Sequence, residues 1–239
     1  ILCALLAFVM MAALLPADLA AALPGPAAQA AEVDPQADNQ ISNANDWEAF
    51  ATNPHDYAGQ TVELTQDIEL SGNIHTKDSF SGIFEGNGHT ITIADGSTYV
   101  LNNGENSDTE IGLIRYLDGG TGQNLIIELE GTLWCTPNRY LVPPEGGDNL
   151  NAYQNIQQAG VLTGDIVNSG IVKNVAVLGG TVRFVGDRDA PLPTSLGGIA
   201  GILRSGTISG CFTSCVVDAW SHPSDVSRYL RGGGIWAYN

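Results

Sequence analysis

The stretch from Ser195 to Val217, SLGGIAGILRSGTISGCFTSCVV, sets five glycines at regular intervals among isolated apolar residues. A buried strand needs none of them, and a helix loses about 1 kcal/mol of stability at each one. The run reads instead as a backbone that turns often and at a fixed interval. The same plan recurs upstream, in GLIRYLDGGTGQNLIIELEGTL from Gly112 and GVLTGDIVNSGIVKNVAVLGGTV from Gly160. The quoted stretch restarts it at Gly198, and GIWAYN at Gly234 begins it a fourth time. The later starts lie 38 and 36 residues apart, and the first gap of 48 contains an insertion. Each unit has a glycine with two apolar residues, a polar corner, then a second apolar segment through Asn124, Asn174 or Gly210. Glycine and asparagine there supply the positive φ that tight corners demand.

A short strand cannot bury its apolar side alone, so neighbouring units must stack and share one core. Stacked parallel strands of this kind form a β-solenoid, an all-β fold. Ile199, Ile202, Ile208, Cys211 and Val216 are the expected inward positions of the quoted unit.

Two resemblances follow from these residues. Gly198-Ile199-Ala200-Gly201 with the following GTISGCFTSCVV resembles the GLUG repeat of bacterial surface proteins, as do Gly112-Leu113-Ile114, Gly160-Val161-Leu162 and Gly234-Ile235-Trp236. In those three units Arg115, Thr163 and Ala237 stand in place of the last glycine. FSGIFEGNGHTITI, from Phe80 to Ile93, resembles the early coil of pectin-lyase-like proteins. The resemblances span roughly residues 60 to 239 and imply a right-handed parallel β-helix, often part of a large exported protein, without implying one activity.

Ahead of the repeats, Asn45 and Glu48 have capping-box spacing, Trp47 and Phe50 lie three apart, and Pro54 bars continuation. A short helix capping the first coil is expected, followed by strands in QTVELTQDIEL, where Val62 and Leu64 alternate with polar neighbours. Residues 1–30 form an apolar run closed by Ala28-Gln29-Ala30, which reads as a secretory signal cleaved before Ala31. Pro16, Asp18, Pro24 and Pro26 interrupt it short of the roughly 20 residues of a membrane span. With no initiator Met and no basic n-region, the sequence is expected to start inside the gene product. Residues 31–40 read as a polar linker and 41–239 as one β-helix, expected to be truncated at its C-terminal end.

The chain has 9 basic and 26 acidic residues, a net charge of -17, which argues against nucleic acid or anionic lipid as the partner. Cys135, Cys211 and Cys215 remain after signal removal, an odd number, so one thiol at least stays free. On an extended strand Cys211 and Cys215 share a face roughly 13 Å apart, too far for a disulfide. They read as buried apolar cysteines.

Insertions at one phase of a solenoid emerge on one side. Three follow the second apolar strand of their units, at about 134–158, 183–196 and 218–231. They hold Arg139, Arg183, Arg188, Arg228 and Arg231, five of the nine bases, with Trp134, Tyr140, Tyr153, Trp220 and Tyr229. Rigid aromatic faces and planar guanidinium forks suit sugar rings and carboxylates. Trp134, Arg139, Tyr140, Arg188, Trp220, Arg228 and Tyr229 are therefore the candidate binding residues, for an acidic glycan in particular or for a surface protein.

Catalytic candidates are Asp165, Asp187, Asp189 and Asp218 with Arg188, but no carboxylate pair repeats across units as acid–base chemistry on such a scaffold requires, and none is assigned. The acidic run from Asn102 to Glu110 lacks the ordered ligand spacing of a calcium loop. His89 and His222 have no companion at zinc spacing, and His89 reads as a corner residue. No Gly-Lys-Ser/Thr phosphate loop occurs, so neither metal nor cofactor is assigned. The expectation is an exported cell-surface scaffold or adhesin presenting one wall of loops, with no membrane span once the signal is removed. A carbohydrate-active enzyme with catalytic coils beyond Asn239, or an accessory region of a surface protease, are the alternatives.

Overall fold

A computed structural model of the chain describes residues 39–101, 110–137, 158–185, 195–220 and 231–235. The expected signal, residues 1–30, and most of the linker lie outside them.

The described chain opens with strand β1 (Gln40–Ile41) and the single α-helix of the described residues, α1 (Ala44–Thr52). The helix cap is not the expected Asn45. Asn43 stays extended, and its side chain accepts from the backbone N–H groups of Asn45 and Asp46, while Asp46 Oδ2 accepts from Ser42 N at 2.9 Å. The box is closed two residues earlier, by Asp46 rather than by Glu48. Trp47, Phe50 and Ala51 form the buried face of α1, as the spacing predicts. Trp47 and Phe50 both pack on Phe84, with ring centroids 5.8 and 5.7 Å away. A 3-10 turn, Pro54–Tyr57, ends the cap.

From there the regular elements of the described residues are all β-strands, and every strand pairing among them is parallel. β2 (Thr61–Leu64) and β3 (Ile68–Leu70) enter a large sheet, A, to which β1 also belongs. The chain then visits three smaller sheets and sheet A in a fixed order, C, A, B, D, four times over. The first round is β4 (Ser79–Phe80), β5 (Ile83–Glu85) with β6 (Thr90–Ile93), β7 (Thr98–Leu101) and β8 (Glu110–Ile111). The second is β9 (Ile114–Asp118), β10 (Thr121–Leu129), β11 (Thr132–Pro137) and β12 (Gln158–Gly160). The third is β13 (Thr163–Val167), β14 (Gly170–Leu178), β15 (Thr181–Val185) and β16 (Ser195–Gly197). The fourth is β17 (Ala200–Leu203), β18 (Gly206–Ser209) with β19 (Phe212–Thr213), β20 (Val216–Trp220) and β21 (Arg231–Gly233).

Each round's strands pair with the same strands of the next, and the inward side chains stack. Leu125 sits over Val175 and Ile127 over Val177 in sheet A, and Leu133 over Val182 in sheet B, all essentially inaccessible to water. Full burial of each such side chain stabilises by about 1.5 to 3 kcal/mol. The sheet A corner is where the sequence places it: Asn124 and Asn174 have φ of 53° and Gly210 has 61°. Asn174 Nδ2 donates to Asn124 Oδ1 at 3.0 Å, a side-chain ladder that stops at Gly210.

The register corrects three readings. Gly197, not Gly198, stacks on Gly160, and Gly233, not Gly234, stacks on Gly197. One arm further on, Ala200 pairs with Thr163 and Thr163 with Ile114, so Gly164 and Arg115 hold the position of Gly201. The reason is steric: a Cβ on Gly201 would lie 2.6 Å from Ala159 N, and one on Gly164 2.5 Å from Ile111 N. Sheets C and D thus approach backbone to backbone. Arg115, buried at this position, donates from Nε to the Glu110 carbonyl at 3.2 Å and from Nη1 to the Lys77 carbonyl at 2.9 Å.

The second correction is Val216. It is 57% exposed, and Val217 packs on the core instead, because Val217 pairs with the buried Val182. A strand shifted by one residue exchanges its faces. The other expected inward residues lie on the core side, Ile199 and Ile202 buried and Ile208 and Cys211 half-buried. The third concerns the cysteines. Only Phe212–Thr213 of the run from Cys211 to Cys215 is strand, so the run is not one extended strand; both thiols are free and half-buried, and Cys135 is free and fully buried.

Candidate functional site

The strands bracketing the proposed wall are neighbours. β7, β11, β15 and β20 lie side by side in sheet B, and the strands that follow them, β8, β12, β16 and β21, lie side by side in sheet D. Four connections therefore join sheet B to sheet D: 102–109, 138–157, 186–194 and 221–230. The acidic run, read separately in the sequence, belongs to the same series. Arg139, Tyr140, Tyr153, Arg188, Arg228 and Tyr229 fall within these connections, as do Asp187 and Asp189, outside the described residues. Trp220 pairs through its backbone with Val185, and Arg231 opens β21.

What the structure places at the root of these connections is a row across sheet B. Thr98, Trp134, Arg183 and Asp218 are successive register partners on four strands. Their strand neighbours Tyr99, Leu133, Cys135, Val182 and Phe184 are buried, so by two-residue alternation the row faces away from the core. Arg183 Nε donates to Asp218 Oδ2 at 2.8 Å, with the two side chains 38% and 39% exposed. The Arg183 guanidinium carbon lies 5.5 Å from the centroid of the Trp134 ring. Such a cation–π contact is worth about 0.5 to 1 kcal/mol at an exposed site. A parallel row, Thr132, Thr181 and the exposed Val216, runs beside it.

Of the predicted residues, then, the structure joins Trp134 to Arg183 and ties Asp218 to that arginine as its ion-pair partner. Sequence reading separated these roles. The signal was present in GTLW, GTVR and CVVD, where Trp134, Arg183 and Asp218 each stand at the third residue of a strand.

Asp165 lies elsewhere, on sheet C between Tyr116 and Ile202. Its side chain is wholly buried; Oδ2 accepts from Arg204 Nε at 2.6 Å, and Oδ1 has no hydrogen-bond partner. Burial raises the Asp165 pKa above its ordinary value, the Arg204 bond and charge oppose that rise, and Glu110 adds to it. Burial likewise raises Tyr116. This acid lies on a different sheet from Asp218, so these two catalytic candidates do not converge; Asp187, Arg188 and Asp189 lie outside the described residues. His89 sits at a corner, its Nδ1 3.3 Å from Asp67 Oδ1. Among the described residues no three His, Cys, Asp or Glu side chains gather as a metal site.

A cleft of about 260 Å³ lies between α1 and the segment from Leu70 to Lys77, lined by Trp47, Glu48 and His75. The Trp47 indole N–H is already donated to Ile74 O at 2.9 Å, and the volume falls below the usual ligand range of about 300 to 1,000 Å³.

Comparison with known proteins returned no matching family model, no matching curated protein and no matching solved structure.

Proposed function

We propose that the chain is a right-handed parallel β-helix exported to the cell surface, a scaffold or adhesin that presents the outer side of sheet B, and the connections springing from it, for carbohydrate or protein contact. The observation that carries this reading is the Trp134–Arg183–Asp218 row at the root of those connections. An aromatic ring, a guanidinium and a carboxylate held in register by paired strands are preorganised, so little conformational entropy is lost on contact. The repeated C-A-B-D circuit and the GLUG-like glycines support the β-helix, and the apolar run ending Ala28-Gln29-Ala30 supports export. The full chain screened on arrays of glycans and extracellular proteins should yield a ligand whose binding is lost in Trp134→Ala and Arg183→Ala. A ligand held equally well by both variants would reduce sheet B to a passive stalk face.

A second reading, polysaccharide lyase or glycosidase, rests on Asp165 alone, a buried acid beside Arg204. Release of reducing or unsaturated ends from a polysaccharide panel, abolished in Asp165→Asn, would establish it over the first.

A further inference from the structure

We infer that the outer side of sheet B takes a neutral, extended polysaccharide laid across its strands. This narrows the binding role proposed above and rests on it. The sequence alone points to an acidic glycan, because five of the nine bases fall in the three segments; the geometry points the other way. Arg183 already holds a carboxylate, that of Asp218 at 2.8 Å, and its guanidinium rests near the Trp134 ring. A uronate arriving here meets Asp218 as well as Arg183. Over residues 134–158, 183–196 and 218–231 six carboxylates stand against five bases, so the segments carry no positive surplus, and the whole chain at -17 repels a polyanion. The ion pair sets donors beside acceptors with no net charge. That is what sugar hydroxyls, each both donor and acceptor, require.

Orientation follows from register. Thr98, Trp134, Arg183 and Asp218 occupy one position on four adjacent strands, about 4.8 Å apart from strand to strand. That step is close to the advance of one sugar residue in an extended β-linked chain, so a chain crossing the strands meets one row position per sugar. Thr132 and Thr181, in the flanking row, add hydroxyls at the same interval. A protein partner fits less well: a stable interface engages roughly 20 to 30 residues a side, and the described strands of sheet B offer outward positions in three rows across four strands, about half of that.

The test titrates the full chain with neutral β-linked gluco-, xylo- and manno-oligosaccharides of two to six units and with uronate oligosaccharides, by calorimetry at 0.05 and 0.5 M salt. Neutral ligands should bind, gaining about tenfold in affinity from disaccharide to tetrasaccharide and changing less than about twofold with salt. Trp134→Ala should lose about tenfold or more, while melting close to the parent. Asp218→Asn leaves Arg183 without its carboxylate and should gain salt-sensitive binding of uronates several-fold over the parent. Tight uronate binding by the parent, unaltered in Asp218→Asn, would overturn the neutral class and leave the binding role standing. An affinity already saturated at the disaccharide would overturn the orientation across strands. Absence of binding to every carbohydrate of either class would overturn this inference, and the protein array above would then decide the binding role itself.

Discussion

Gly201 and Gly234 make a contrast at the scale of single residues. A methyl group on Gly201 meets the Ala159 backbone at 2.6 Å, whereas no described residue lies within 4 Å of one on Gly234. Backbone cannot rotate aside as a side chain can, so Gly201→Ala should cost about 1 to 3 kcal/mol in urea unfolding and Gly234→Ala less than about 0.5. Equal effects would mean that sheets C and D are not in backbone contact. Asp165 supplies a pH dependence with a definite sign. Its pKa is raised in the folded state, so folding favours the protonated acid; that contribution is complete below the unfolded value near 3.8 and is lost as pH rises through the folded value. Asp165→Asn removes it. Because Arg204 is 49% exposed and stays solvated, the variant should melt no lower than the parent at pH 7 and should lose its advantage as pH falls toward 4. Thermal melts of both proteins across that range measure this directly.

At the scale of elements, the paired strands β10 and β14 each bury four positions, whereas β18, the partner of β14 in the fourth round, buries none. Val175 is 1% exposed and stacks on Leu125, while Ile208 pairs with Val172 and is only half covered. Val175→Asp should therefore abolish folding, since an unpaired buried charge costs several kcal/mol against a total of about 5 to 15. Ile208→Asp should remain soluble with a melting point lowered by several degrees. Collapse of both variants alike would place Ile208 deep in the core. The sequence made this stacking legible, because glycine spacing and the Asn124–Asn174–Gly210 corner report backbone conformation directly. It failed where two neighbouring residues carry the same signal. Gly197 and Gly198 are interchangeable on paper, as are Val216 and Val217, and Asn43 and Asn45. Contacts from other rounds choose between the first two pairs, Gly160 under Gly197 and Val182 beside Val217, and a local one chooses the third, the Asp46 carboxylate closing back on Ser42. The site was half legible for the same reason. Aromatic and basic residues stand out by type, but the pairing of Arg183 with Asp218 is a property of register across 35 residues.

On the scale of the whole molecule, sheets B and D fix the ends of four connections of 8, 20, 9 and 10 residues. Leu101 pairs with Pro137 where the first two leave sheet B, and Glu110 pairs with Gln158 where they reach sheet D. Eight residues thus span the gap that residues 138–157 also span. Replacing 138–157 by eight Gly and Ser residues should leave the melting transition intact and, by shortening the loop, add up to about 0.8 kcal/mol. A collapsed or aggregated product would make that segment part of the core. Among the described residues no helix is long and apolar enough to cross a membrane.

The alignment of those four connections on one edge also separates two kinds of selection. Insertion, deletion or drift between sheet B and sheet D alters what the surface displays without moving a single strand partner, so recognition can diversify while folding stays constant. Inside a strand a one-residue indel would turn the side chains that follow it in that strand to the wrong face. Lineages of this chain should therefore differ in length along that edge first, and an antibody raised against the connections should discriminate variants that share an identical frame.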